Sequence, residues 1–417
     1  MTTAIYWFRN DLRLEDNPSF LQACKSADHL LPVYIHQTNL EQDTAWGFPR
    51  MGEHRRVFLD QTLQELRSQL RELGSDLYEV AGDVLHVFEK LKSQIQADLI
   101  YCEQIQAPEE LEQVALLSAA GFKIHSRWQS SMLDAHSLPF ALEEMPDIFT
   151  QFRQQVEKRG LRFSVPVDSP KSIPSLLAIE IPSIKAFNSN ISSSIGNFFG
   201  GERSAHMHIR QYFERGLPDT YKQTRNELIG MDYSSKFSPW LAQGCCSAGC
   251  IAKQLADYEF CYGANDGTYW LWFELLWRDY FRFLHFKYGK RLYNSKGLSR
   301  VSSNQFDGEN FYQWSSGATG ESLIDAGMRE LKKTGYLSNR MRQIVASYWI
   351  YDMKGDWQAG SAWFEYQLID YDVYSNQGNW LYIAGKGTDP RGGRPFNVAK
   401  QTQDHDRDGI YRQMWLT

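Results

Sequence analysis

The densest run of chemistry in this 417-residue chain lies in its last third, in MRELKKTGYLSNRMRQIVASYWIYDMKGDW and the following WFEYQLIDYDVYSNQGNWLYIAGKGTDPRG. Arg342 in the first segment and Asp370 in the second are expected to form an ion pair, because burying either charge alone is costly. Asp372, Asn376, Asn379 and Trp380 follow closely. Polar groups compressed between apolar helical stretches suit a flat ring system such as a flavin. One edge of such a ring exchanges hydrogen bonds, and the other needs apolar cover.

Three upstream stretches carry further candidates. In YWLWFELLWRDYFRFLHF (residues 269–286), Glu274 and Trp277 lie three apart and so share a helix face, with Arg278 one turn after Glu274. A carboxylate beside an indole suits a pocket that stacks a flat ligand and accepts its N–H groups; an interhelical core with an internal Glu–Arg pair accounts for the same residues. In YSSKFSPWLAQG (233–244), Ser234, Ser235, Lys236, Phe237 and Ser238 form a turn into a helix, and serine-capped helix starts suit phosphate or pyrophosphate. A plain capped helix explains that turn equally. Tyr221, in LPDTYKQTRNEL, offers a ring that could stack on a cofactor.

The elements that must position these residues change character along the chain. The first 130 residues alternate short apolar runs with helical patterns. Strands are expected at Ala4–Phe8, Leu30–His36, Leu77–Val80, Leu99–Cys102 and Phe122–His125, and helices at Arg56–Leu73 and Ala107–Ala120. This repetition predicts an α/β domain with a doubly wound parallel sheet, whose ligands bind beyond the carboxyl ends of the strands. No GxGxxG or Walker A motif occurs. Residues 131–200 read as an interdomain linker, rich in Pro, Ser and Asn from 164 onward. From 201 to 417 helical patterns follow one another without convincing strands, giving an all-α second domain.

Bulk properties narrow the function classes. Net charge is −6, against a general nucleic-acid coat, but it divides unevenly. Residues 1–200 carry 18 basic and 26 acidic side chains, residues 201–417 carry 26 and 24, and ten of thirteen tryptophans lie in the second part. A mildly basic, Trp-rich domain permits a local nucleic-acid footprint. The six cysteines match no common zinc spacing, and CCSAGC lacks the CxxC pairs of an iron–sulfur site. Reduced core thiols, no metal and a cytoplasmic monomer are expected. No apolar run spans a membrane, and MTTAIYWFRNDLRLED reads as a first strand and not as a secretory signal.

Five patterns together, WFRNDLRLEDNP, YSSKFSPWLAQG, FELLWRDYFRF, MRELKKTGYLSNRMRQ and LIDYDVYSNQGNW, resemble the photolyase/cryptochrome family in order and spacing from Tyr6 to Trp415. YDVYSNQGNW and TGYLSNRMRQ are most similar to DASH cryptochromes. The resemblance implies FAD in the helical domain, with Tyr221 and Ser234–Ser238 around it, Asp370 paired with Arg342 against the ring, Asp372 at its pyrimidine edge and Asn376 facing N5. It also implies light-driven repair of cyclobutane pyrimidine dimers: excited FADH⁻ donates an electron, the ring splits and the electron returns. Glu274 would bond the dimer's base edge and Trp277 would stack on it, with Arg278, Asn339, Arg340 and Gln401 toward the DNA. An asparagine at Asn376, where plant-type cryptochromes carry aspartate, favours an anionic reduced flavin.

The resemblance also sets four finer expectations. Tyr382 stands where duplex-repairing enzymes place a second tryptophan; weaker stacking, on the order of 1–3 kcal/mol per base, favours single-stranded DNA as partner. Trp380 and Trp357 match the first two members of a tryptophan electron chain, while the third place falls on Ser303 or Asn304, leaving Tyr312, Trp314 or Trp349 as substitutes. Glu103 matches a carboxylate that meets a 5,10-methenyltetrahydrofolate antenna, although a solvated loop glutamate would fit too. The absence of a long extension after Trp415 disfavours the rival reading, a blue-light receptor signalling without repair.

Overall fold

The computed structural model describes residues 1–176, 179–181 and 198–417. Strands β1 (Thr3–Phe8), β2 (His29–Gln37), β3 (Tyr78–Gly82), β4 (Leu99–Glu103) and β5 (Lys123–Arg127) form one parallel sheet in the order β3-β2-β1-β4-β5. The inner strands are buried on both faces, which is why they appear in the sequence as near-continuous apolar runs. Edge strand β5 is largely exposed and carries Lys123, His125 and Arg127, residues that discourage pairing with another chain. The strand order reverses between β1 and β4, so the switch-point crevice opens beyond Phe8 and Glu103.

The helices form where caps and apolar spacing agree. Pro108 opens Pro108–Ala119 with Glu109 and Glu110 in its first turn, where acidic side chains are stabilised by the positive end of the helix dipole. Two further helices, Pro18–Ser26 and Val84–Ile95, are announced by their caps: Asn17 accepts from Phe20 N at 3.1 Å and Asp83 from His86 N at 3.0 Å.

Residues 131–163 differ from the linker expected there. Phe149–Arg159 is a helix, and Met132, Met145, Phe149, Phe152 and Val156 are buried in the main core of the helical domain. The Asp279 carboxylate accepts from Met132 N at 2.9 Å and Leu133 N at 2.8 Å. The segment's short 3-10 turns break any helical period, which is why its apolar residues read as irregular. Of the rest of the expected linker, 177–178 and 182–197 lie outside the described residues.

Beyond residue 201 the described chain is helical throughout. The 23-residue Asp266–Tyr288 helix runs through its middle, started by an Asn265 capping box. The two domains are clamped by the loop after β1. Arg13 Nη1 donates to Gly244 O at 3.1 Å, and the buried Glu202 carboxylate accepts from Leu14 N and Glu15 N at 2.9 and 2.8 Å. Gly244 sits at φ +71°, and a Cβ there would lie 1.9 Å from Asn10 O. Only glycine allows that approach.

Candidate functional site

The helices Asn339–Ser347, Trp357–Gln367 and Val373–Ala384 line an open cavity of about 190 Å³. Its wall includes Arg342, Asp370, Asp372, Asn376 and Trp380. Arg342 Nη2 donates to Asp370 Oδ2 at 2.7 Å, the pair expected from sequence. Asp372 caps its helix by accepting from Ser375 N at 2.8 Å and pairs with Arg282, Nη2 to Oδ2 2.5 Å. Burial pushes its carboxyl up, but the Arg282 and Arg278 guanidiniums win and hold it down at about 2. Asn376 donates from Nδ2 to Ser361 O and Oγ at 3.1 and 3.0 Å, which fixes its amide.

The cavity keeps unspent hydrogen-bonding capacity. Asp370 Oδ1 and Trp380 Nε1 are buried without partners. Buried polar atoms are normally satisfied, so orphans in a cavity wall mark where a ligand's own polar atoms belong. Carboxylates at one edge and Phe364, Ala346 and Ile383 at another match the polar and apolar edges of an isoalloxazine. The residues present therefore fit a flavin.

The Ser234–Ser238 turn differs in detail. Helix Ser238–Gln243 has Phe237 at its cap position, no side-chain cap, and Pro239 in its first turn, so no serine caps it. Lys236 instead adopts φ +55° and buries its ammonium 3.6 Å over the Tyr233 ring and 4.7 Å from Tyr336. Burial lowers its pKa to about 7. Ser238 lines the cavity, and Tyr221 is buried beside Glu274.

Glu274 pairs with Arg225 and not with Arg278. Arg225, four residues after Tyr221, is the site residue that sequence reading missed; its guanidinium also lies 4.3 Å over Trp270. Next to it, Arg340 Nη2 donates to Asn226 Oδ1 at 3.1 Å, leaving Arg340 Nε without a partner. Asn339 is exposed at the cavity mouth, and buried Gln401 keeps a free Oε1. Arg278, expected toward DNA, turns inward: it donates to Ser130 O at 2.5 Å and to Leu241 O at 3.4 Å, and burial lowers its pKa to about 10. Because the Asp266–Tyr288 helix is packed around most of its circumference, each side chain's partner is chosen by neighbouring segments and not by spacing along the helix.

Trp277 and Tyr382 meet edge to face, with centroids 5.7 Å apart at 76°. Trp380 contacts Trp314 at 6.4 Å, and Trp314 stacks on Trp349 at 5.2 Å. Trp357 donates to Ser295 O at 2.8 Å and to Ser303 Oγ at 3.1 Å, so a serine stands where the chain's third indole was sought. Asn304 is spent on the Ile350 and Gly355 carbonyls.

Glu103, at the switch point, is buried at the end of β4 and not in a solvated loop. Its Oε2 has no partner, and burial first, Asp11 second, raise its carboxyl well above the usual range. An unfolded glutamate ionises near 4.5. Above that pH the unfolded chain has released a proton that the folded chain still holds, so stability falls as pH rises until Glu103 itself ionises. Glu103→Gln is expected to flatten that slope, read as urea midpoints across the window.

Comparisons with known proteins now decide the family. Residues 4–173 match the DNA photolyase domain and residues 270–417 match the FAD binding domain of DNA photolyase. The chain is 42% identical to the Cryptochrome DASH of Idiomarina loihiensis, over 99% of this chain and 92% of that one. The chain belongs to the photolyase/cryptochrome family. The Cryptochrome DASH of Xenopus laevis is 41% identical, over 98% of this chain and 81% of its own. The crystal structure of a cryptochrome from Synechocystis sp. PCC6803 superposes with a TM-score of 0.94 at 40% identity, covering 100% of this chain and 89% of that one. A class III photolyase from Agrobacterium tumefaciens gives 0.83 at 26%, covering 100% and 86%. This photolyase/cryptochrome protein thus has the parallel-sheet and helical FAD-binding domains that its sequence predicted, and FAD is its cofactor. No helix among the described residues is long and apolar enough to cross a membrane.

Proposed function

We propose that this protein is a DASH-type photolyase that repairs cyclobutane pyrimidine dimers, preferentially in single-stranded DNA. The observation that carries the reading is the Trp277–Tyr382 corner beside the flavin cavity, an aromatic wall of reduced area. Two dimerised bases offer flat faces to such a wall, and a single strand presents them without the cost of unstacking a duplex.

Bound FAD supplies the light-driven electron. Arg342 and Asp370 orient its ring, Asp372 meets its pyrimidine edge, and Asn376 presents a neutral amide where a carboxylate would repel an anionic ring. Ser234, Ser235, Lys236, Phe237, Ser238 and Tyr221 surround the rest of the cofactor. The Glu274 carboxylate accepts from the dimer's base N–H groups, and Arg225 holds it in place. Asn339, Arg340 and Gln401 meet the strand near the lesion. Arg278 stays outside that set, as an interior brace. Glu103, unpartnered at the switch point, is the residue we assign to a 5,10-methenyltetrahydrofolate antenna.

Chemically reduced protein illuminated with dimer-containing oligo(dT) is expected to restore thymine absorbance, faster on single strands than on duplex. No recovery on single strands would sink the repair reading; equal rates would sink the preference. Glu274→Gln should retain FAD and lower repair by roughly 10- to 1000-fold, the scale of losing one positioned group. Loss of FAD instead would make Glu274 a core residue.

A further inference from the structure

The helix Val373–Ala384 has two occupied faces. Asn376, Asn379, Trp380 and Ile383 line the flavin cavity, while Gly378, Leu381 and Tyr382 line a second cavity of about 110 Å³ that the flavin reading does not use. Phe149, Trp277, Tyr280 and Phe281 give this second space aromatic walls. Gly378 makes room for one of them: a Cβ there would lie 2.2 Å from the Phe281 ring.

The polar atoms of this cavity sit at its rim. Tyr280 Oη donates to Asp147 O and lies 2.7 Å from Thr388 Oγ1, which therefore donates to it, so the two hydroxyl oxygens face the cavity as acceptors. Arg394 is spent, donating from Nε to Asp389 Oδ2 at 2.9 Å and also to the Tyr382 hydroxyl. Arg391 is exposed, and among the described residues its guanidinium has no carboxylate partner. An aromatic slot, two hydroxyl oxygens and one free guanidinium at the mouth complement a nucleotide: stacking for the base, acceptors for the N–H groups of its edge and a cation for its phosphate. Trp277 and Tyr382 also form the proposed lesion corner, so the two spaces share these rings.

We infer that this cavity takes one unstacked base immediately beside the dimer in the same single strand. The inference rests on the reading of the Trp277–Tyr382 corner as the lesion site. A duplex holds that neighbouring base in its stack, whereas a single strand releases it cheaply. The cavity is thus a second source of single-strand preference, separate from the reduced stacking at Tyr382.

The test uses FAD-loaded protein and oligo(dT) strands carrying one dimer and one 2-aminopurine, placed in turn at each position flanking the dimer. At one position emission should drop several-fold on binding, because stacking on aromatic rings quenches it. Thr388→Trp, which fills the slot, should restore emission and weaken binding roughly tenfold while flavin absorbance is unchanged. Arg391→Ala should reduce the slope of log affinity against log salt by about 0.7, one phosphate contact on a single strand. Dimer strands that bind with no quenched flanking position, or a quench that survives Thr388→Trp, would overturn the cavity assignment. Strands bound equally with and without a dimer, yet quenched and restored as above, would overturn the lesion reading and keep a base-binding cavity. Absence of both dimer preference and quenching would overturn both.

Discussion

Arg342→Met should unfold at markedly lower denaturant and purify without FAD. The substitution leaves the Asp370 carboxylate, 1% exposed, with its ion-pair partner removed and one oxygen already orphaned. Breaking a buried pair from one side costs about 3–5 kcal/mol, a large share of the stability of any domain. The double variant Arg342→Met with Asp370→Leu should recover much of that stability, because an apolar pair of similar shape is tolerated. It should still fail to hold FAD, since the carboxylate we assign to the ring is gone. Urea unfolding and flavin absorbance of the purified proteins separate the effects. FAD retained at full occupancy by the double variant would remove this pair from the cofactor site.

Trp380→Phe should abolish light-driven reduction of the bound cofactor while leaving dimer repair by chemically reduced protein intact. Trp380 lines the flavin cavity with an unpartnered Nε1, and we assign it as the first indole to give up an electron. Behind it two routes diverge. One is the expected route to Trp357, whose indole N–H meets Ser303 where a third indole was expected. The other passes through Trp314 to Trp349, and the point where a Gly360 Cβ would sit lies 2.3 Å from Trp380 and 2.9 Å from Trp349, so glycine lets those two rings crowd together. Trp357→Phe and Trp314→Phe, compared by the rate of flavin bleaching under blue light with a thiol reductant, identify the route. Photoreduction unaffected by Trp380→Phe would mean that electrons enter elsewhere.

What could be read from sequence follows physical locality. Inner parallel strands buried on both faces must be apolar throughout, so β1, β2 and β4 were legible, and every expected strand lies within one or two residues of its structural limits. The Arg342–Asp370 pair was legible because two charges in apolar surroundings have few ways to be satisfied. Partner choice over long distances was not. Glu274 takes Arg225, 49 residues away, although Arg278 lies one turn along its own helix, and nothing in the spacing distinguishes the two. The segment 131–163 failed for a related reason. Its order comes from Asp279 and the core it packs on, and a chain that borrows its structure from elsewhere looks like a linker. The serine turn misled differently, since Lys236 inside an aromatic cage carries no pattern that a cap rule detects.

The clamp between the domains bears on how the chain is made. The loop after β1 leaves the ribosome early, yet the groups that satisfy Leu14 N, Glu15 N and Arg13 belong to Glu202 and Gly244. Through the synthesis of some two hundred intervening residues, which at about 5–20 residues per second takes on the order of ten seconds or more, the nascent sheet presents that loop undocked. Its final shape is set only when the Glu202 helix emerges. The first-made domain therefore completes its fold only once the second has begun to emerge, and a nascent chain stalled between the two domains would expose an undocked loop to proteases and chaperones.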